Sequence, residues 1–600
     1  MKRLSCSNIS MRILFLCIFC SLSVIGADAQ MACRPFALKD VRLLSSRFQR
    51  NMQRDSAWIA SIPVNSLLHS FRNTAGVFSS KEGGYMTMKH LAGWESMDCD
   101  LRGHITGHLL SAMAYLQMCE KSDSLVQGLA EVQRQYGTGY LSAYGEGLID
   151  RNIQGKSVWA PFYTMHKIVQ GLLDQYTMCG NGTALEVAKG MGDWAYNKLK
   201  PLGEETRTRM IRNEFGGFNE AMYNLYAVCR GLQMPDSEKY LWVARFFYHN
   251  DKIDPLKHGN NDLGTYHANT FIPKLLGECL NYELFGDVDS RRAAENLFWT
   301  LVNDHAFITG EVSDKEHLFK PETQSNHLTG YDGENCCTYN LLKLAERLFC
   351  YQPDSKIADY YERALYNHIL GQQDTLTSMV CYFTPLMTGG YRLYSTRDSS
   401  FWCCVGSGFE SHAKYQSSIY FHTDKELYVN LFIPSEANWN GNVIRQQTLF
   451  PENNKTIITA SVKTNIRIRY PYWATYMKIN GRKVKAEHDG YVSVKNVKRL
   501  EIELGMSLHE EATKDDPSRV ALMYGPVVLG GRLEDVDYPF SDPKKYNDYY
   551  TYDYGKHPEV FLQSVKHLGG QRFLTTDGIS VEPFYNLQHY RYVVYWKKDK

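Results

Sequence analysis

No segment after the first 25 residues reaches the ~18 consecutive apolar positions that a membrane-spanning helix needs. That lack gives no ground for a transmembrane protein. Charge of one sign is equally lacking: 66 Lys and Arg against 65 Asp and Glu leave a formal net charge of +1. Nothing in that balance argues for nucleic acid or an acidic membrane surface as a partner. The chain also lacks low-complexity tracts and charge blocks, so any linkers between domains must be short. At 600 residues it has material for at least two cores.

The amino-terminal residues have the composition of an export signal. Lys2, Arg3 and Arg12 precede an apolar run from Ile13 to Ile25, and Ala27-Asp28-Ala29 offers a small-residue cleavage site. Met11 is an alternative start that keeps a whole signal, and Gln30-Met31-Ala32-Cys33 is a poor lipobox. Residues 1–29 are therefore read as a signal peptide, and the mature chain as exported and periplasmic. Cleavage leaves twelve cysteines. Most of the isolated ones, Cys119, Cys179, Cys229, Cys279 and Cys350, sit in apolar helical patterns and read as core residues.

Apolar residues recur at helical spacing from about residue 50 to 370, in pairs of segments. Phe48–Ile62 begins the first pair. His104–Glu120 with Ser122–Tyr136, Met165–Cys179 with Ala184–Leu199, and Asn219–Gly231 with Asp236–His249 follow. Thr270–Phe285 with Asp289–Ala306, and Thr338–Tyr351 with Ser355–Gly371, complete the series. About six helical hairpins predict an (α/α)₆ toroid over residues 30–420, with loops at one end of the ring building the site. Beyond about residue 375 the period shortens. Leu427–Ile433, Lys455–Lys463, Ile466–Tyr470, Gly490–Val497 and Leu500–Leu504 read as strands, with Asn480-Gly481 as a turn. Residues 421–600 are expected to form one or two β-sandwich domains.

Two pairs of adjacent cysteines stand apart: Cys336-Cys337 after Glu334, and Cys403-Cys404 before Gly406. Consecutive Cα atoms lie ~3.8 Å apart, too close for an unstrained disulfide. Glu334, Cys336, Cys403 and Cys404 together offer four ligands of the kinds that zinc takes. Cys337 points elsewhere if Glu334 and Cys336 face one ion. A purely structural zinc and a disulfide between the two pairs are the alternatives. Cys403-Cys404 is read as part of a loop between strands.

Histidines recur at the mouths of the hairpins. His104 and His108 lie four apart, and His166 and His267 sit near helix starts. Together they suggest a polar ring for sugar hydroxyls, although for any one alone a satisfied core histidine is the default. The loop from Glu311 to His317 carries Asp314 and Glu316, either of which would serve as a general acid if the loop reaches the cavity.

The motif Glu-x-Cys-Cys-Thr-Tyr-Asn-x-Leu-Lys-Leu at Glu334–Leu344 resembles the signature of the zinc–cysteine β-L-arabinofuranosidases, glycoside hydrolase families 127 and 146. Gly93-Trp94-Glu95, Leu101-Arg102-Gly103-His104, Gly216-Gly217-Phe218-Asn219-Glu220, Thr265–Thr270 and Cys403-Cys404 fit the same family in the same order. Asn335 departs from it, where Thr is commoner. The resemblance implies an (α/α)₆ domain followed by β-sandwiches. It implies zinc held by Glu334, Cys336, Cys403 and Cys404, with Cys403 as nucleophile. Glu316 matches the acid/base glutamate best, and Asp314 is the fallback. The activity it implies is retaining, exo-acting release of terminal β-L-arabinofuranose from plant cell-wall glycans, pectic or glycoprotein. The alternative is a polysaccharide lyase or glucuronyl hydrolase on a helical barrel with a structural zinc. On either reading the partner is an oligosaccharide or polysaccharide.

Overall fold

The computed structural model describes residues 31–79, 91–536 and 558–598. The signal peptide expected over 1–29 lies outside them. Six helices, His104–Tyr115, Pro161–Cys179, Phe218–Gly231, Ala268–Phe285, Asn335–Tyr351 and Cys403–Ala413, each pack against the next, and the last closes on the first. Their sequences explain the inner position. In His104–Tyr115 every residue from His104 to Ala114 is buried, as a helix apolar all round requires. Cys119–Tyr136, Gly182–Leu199, Glu238–Phe246 and Val288–Thr300 pack on this ring and present one polar face outward. Arg47–Ser61 packs against the Cys403 helix and Val64–Thr74 against Cys119–Tyr136, which completes the first hairpin. No helix among the described residues is long and apolar enough to cross a membrane.

Two expectations are corrected here. Cys403-Cys404 does not lie in a loop between strands; it opens the helix that closes the ring. Gly406 and Gly408 hid that helix from a reading of local preference. Gly406 is there for close approach: a Cβ on it would come within 2.2 Å of the His108 ring. Cys119 and Cys179 are not plain core thiols either. Cys119 begins one helix, Cys179 ends another, and the two ends meet in a disulfide with Cα atoms 5.6 Å apart.

Two β-sheet domains follow the ring. The first sheet has ten strands, and its longest pair is Lys455–Arg469 against Tyr491–Leu504. The strands expected at Lys455–Lys463 and Ile466–Tyr470 are thus parts of one strand, which ends at Arg469. Asn480 and Gly481 both take positive φ between Met477–Ile479 and Arg482–Lys483, the two-residue hairpin expected there. Arg34–Pro35 and Val41–Leu43 join this sheet from the amino-terminal end, pairing with Tyr420–His422 and Ser435–Trp439. The second sheet has eight strands, from Leu508–Ala512 to Tyr595–Lys597. It packs Met523, Val528 and Tyr595 against Phe307, Ile308 and Phe319, beside the loop that carries Glu316.

Candidate active site

The site forms where the amino-terminal ends of the inner helices meet. Glu334 is the N-cap of Asn335–Tyr351, Cys336 lies in its first turn, and Cys403 is the first residue of its own helix. The partial positive charge of helix N-termini favours thiolate and carboxylate there. The donor atoms of Glu334, Cys336, Cys403 and Cys404 all lie within 4.8 Å of one another, and all four residues are buried. The Cys336 and Cys404 sulfurs are 3.4 Å apart, and Ser407 Oγ is 3.1 Å from Cys336 Sγ. Cys337 turns away from the other sulfurs and donates to Glu334 Oε2 at 3.1 Å.

Electrostatics show what this group needs. Burial, and then the charge on Cys336, pushes the Glu334 carboxyl far above the usual carboxylate range. Burial and the bonds to Cys336 likewise push the Cys403 and Cys404 thiols up. Burial acts the same way on Cys336, but hydrogen bonds from Cys403, Cys404 and Ser407 outweigh it and hold this thiol low. Four acidic groups in a dry site cannot all ionise without a cation. Glu334 Oε1 is buried with no hydrogen-bond partner among the described residues. The donor set therefore fits a metal ion, and these four residues would hold it.

Glu316 reaches the same group through one hydroxyl. Tyr382 donates to Glu316 Oε1, and Cys403 Sγ donates to the Tyr382 oxygen at 3.3 Å. His267 caps the Ala268 helix through Nδ1 and places Nε2 3.6 Å from Glu316 Oε2. Lys315 and Glu316 both have positive φ, so a tight left-handed turn aims the carboxylate inward. Burial pushes Glu316 up, but His267 and the Tyr382 hydroxyl outweigh it and hold its carboxyl below the usual range. Burial pulls His267 down, and Glu316 more than restores it. Asp314 is engaged elsewhere, accepting from Thr329 at 2.7 Å and bonded to His327 at 3.0 Å.

The other three histidines are buried and bonded within the chain. His104 donates from Nε2 to the Phe401 carbonyl at 3.0 Å, and burial drives its pKa well down. His108 binds Glu410 through Nδ1 at 2.5 Å and lies 3.3 Å from the Tyr163 hydroxyl. Burial raises Glu410, but His108 outweighs it and brings the carboxyl to about 2. His166 Nδ1 accepts from the Gly217 N–H at 3.1 Å. The structure thus brings His267 to Glu316 and places His104, His108 and His166 in the wall behind.

Several residues went unread in the sequence. Tyr382 carries no local signal, being one of 41 tyrosines. Glu95 was read only as part of the Gly93-Trp94-Glu95 match, without a role; it accepts the Gly103 and Ile105 N–H groups at 2.7 and 2.9 Å, fixing the helix that begins at His104. Burial raises its pKa to about 7. Trp159, 42% exposed, stands edge-on to Trp94, which in turn faces Tyr382, so an aromatic wall leads from solvent toward Cys403.

A nucleophilic side chain and a carboxyl group joined through one hydroxyl, at the mouth of a helical ring lined with aromatic faces, have the make-up of a glycoside hydrolase. The comparisons agree. The chain belongs to the GH127 β-L-arabinofuranosidase family: the family's catalytic-domain model matches residues 40–417 and its middle-domain model residues 426–509. The non-reducing end β-L-arabinofuranosidase of Bifidobacterium longum subsp. longum is 24% identical over 472 residues, spanning 66% of this chain and 70% of that one. Among solved structures, the GH127 β-arabinofuranosidase BT3674 superposes with a TM-score of 0.70 at 16% identity, over 94% of this chain and 98% of that one. A GH127 β-L-arabinofuranosidase from Geobacillus stearothermophilus T6 gives 0.65 at 18% identity, over 93% and 100%. This leaves the lyase and glucuronyl hydrolase alternative without support.

Proposed function

We propose that the protein is a retaining, exo-acting β-L-arabinofuranosidase with a cysteine nucleophile, working on an (α/α)₆ toroid. The observation that carries the mechanism is the short link from Cys403 through Tyr382 to Glu316. Two hydrogen bonds in series limit the Cys403 Sγ to Glu316 Oε1 separation to about 6 Å. Retaining enzymes hold their two groups ~5–5.5 Å apart, whereas inverting ones need ~6.5–9.5 Å to admit a water. In the first step Cys403, as thiolate, attacks the anomeric carbon while Glu316 protonates the departing oxygen, leaving the sugar bonded to sulfur. In the second, Glu316 takes a proton from water, which attacks the same carbon and returns the thiolate.

Zinc is the metal that three thiolates and one carboxylate suit best, and when bound it would keep the thiols deprotonated. The four donor atoms lie within 4.8 Å of one another, with the Cys336 and Cys404 sulfurs 3.4 Å apart, so Glu334, Cys336, Cys403 and Cys404 would all reach one ion. His104, His108 and His166 act from behind by fixing the Phe401 carbonyl, Tyr163 and the Gly217 loop, while His267 and the wall from Trp159 meet the sugar.

The family description supports arabinofuranose as the sugar released. Plant cell-wall glycans, pectic or glycoprotein, are the proposed source. Export to the periplasm fits the signal-like residues 1–29 and the Cys119–Cys179 disulfide. The test is hydrolysis of p-nitrophenyl β-L-arabinofuranoside, with metal analysis and prior iodoacetamide treatment. Release lost on alkylation, with about one zinc per chain, is the expected result. Activity that survives full alkylation of Cys403 would end the mechanism.

A further inference from the structure

The last carbonyls of a helix find no partner within it. At the end of Asn335–Tyr351 the amino-terminal segment supplies one. The Ala32 and Cys33 N–H groups both donate to the Cys350 carbonyl, at 2.9 and 3.3 Å, and Cys33 Sγ donates to the Phe349 carbonyl at 3.6 Å. Arg34–Pro35 then runs along Tyr420–His422, whose Phe421 ring lies 4.4 Å from that of Phe349. This cap sets Cys33 and Cys350, far apart in sequence, side by side.

Both are free thiols, 2% and 3% exposed. The Cys350 thiol meets that of Cys33 directly, and this contact, ahead of burial, is the largest cause that raises its pKa. Bond lengths along the path through the 3.3 Å contact keep the two Cα atoms within about 7 Å, the outer limit for a disulfide. The fold already holds one bridge at a helix end, Cys119–Cys179. Such bridges belong to an oxidising compartment.

We propose that Cys33 and Cys350 form a second disulfide in the exported protein, which fastens the amino-terminal segment to the last turn of a ring helix. One S–S bond replaces two S–H bonds. The two electrons and two protons pass to a disulfide-bonded oxidoreductase of that compartment, or to oxidised glutathione, which leaves as two thiols. A bridged Cys33 has no thiol left for an acyl anchor, so the Gln30-Met31-Ala32-Cys33 stretch does not tether the protein to a membrane. This inference depends on export and not on the chemistry at Cys403.

The test is peptide mapping of the full chain, recovered from an oxidising compartment and again after incubation with oxidised glutathione. Free thiols are alkylated in denaturant with a chelator, and trypsin is applied without reduction. In either preparation the expected species is Leu348–Lys356 joined through Cys350 to the peptide that ends at Lys39, a pair that separates on reduction. Cys33→Ala should leave Cys350 alkylated and Cys119–Cys179 still linked. Cys33 and Cys350 both alkylated in both preparations, an acylated Cys33, or either cysteine bridged to a different one would overturn the proposal.

Discussion

Replacing Tyr382 by Phe removes one oxygen from the centre of the site and leaves the ring that packs beside Trp94 and Trp402. The hydroxyl donates to Glu316 and accepts from Cys403 at 3.3 Å, so its loss uncouples nucleophile from acid. A hydrogen bond to a charged group contributes ~1.5–3 kcal/mol. If that is spent on the transition state, kcat/KM falls by about 10- to 150-fold. The pH dependence carries a second signature. Burial raises Glu316, while His267 and Tyr382 together hold it low. Removing one of those two donors lets its pKa rise. The first step needs this carboxyl protonated, and activity is lost as pH rises through its pKa, so the alkaline limb should move to higher pH. Initial rates on an aryl arabinofuranoside from about pH 2.5 to 8, in about half-unit steps, would read both effects. An unchanged kcat/KM with an unchanged profile would refute the link from Cys403 to Glu316.

Gly406→Ala would set a Cβ within 2.2 Å of His108 and shift the start of the Cys403 helix. Overpacking of this kind costs ~1–3 kcal/mol, and metal analysis should show any bound metal lost together with activity. The Cys119–Cys179 bridge closes a 60-residue span. Cys119→Ser should cost up to about 4 kcal/mol, read as a lowered Tm that reductant reproduces in the wild type, while activity at 25 °C is kept. Asp515 accepts from the N–H and hydroxyl of Ser325 in the loop that follows Glu316. Asp515→Ala should lower kcat several-fold with little change in KM, and Trp159→Ala should raise KM instead. An equal effect of the two on both constants would contradict these roles.

The ring was legible because its helices keep a 3.6-residue apolar period over many turns, and the turn at Asn480-Gly481 because that pair favours positive φ. The Cys403 helix was not, since Gly406 and Gly408 weaken helix preference and only the nearness of His108 explains why Gly406 is needed. The disulfide was also hidden: Cys119 and Cys179 read as core until the ends of two helices are seen to meet. Arg34–Pro35 and Val41–Leu43 pair with strands almost 400 residues away, a contact that no local pattern announces. The thiol group was legible because adjacent cysteines are hard to explain otherwise. Tyr382 and Trp159 were not, because an aromatic ring at a site and one in a core look alike in sequence.

The central claim is that sulfur at Cys403 carries the sugar. Glu316→Gln, supplied with an aryl arabinofuranoside whose leaving group needs no acid, should form the sugar–sulfur bond and break it slowly for want of a base. Peptide mass spectrometry of the acid-quenched reaction should then find one pentosyl group on the peptide that contains Cys403. An unmodified Cys403 while phenol is still released, or a pentosyl group on any other side chain, would contradict the account.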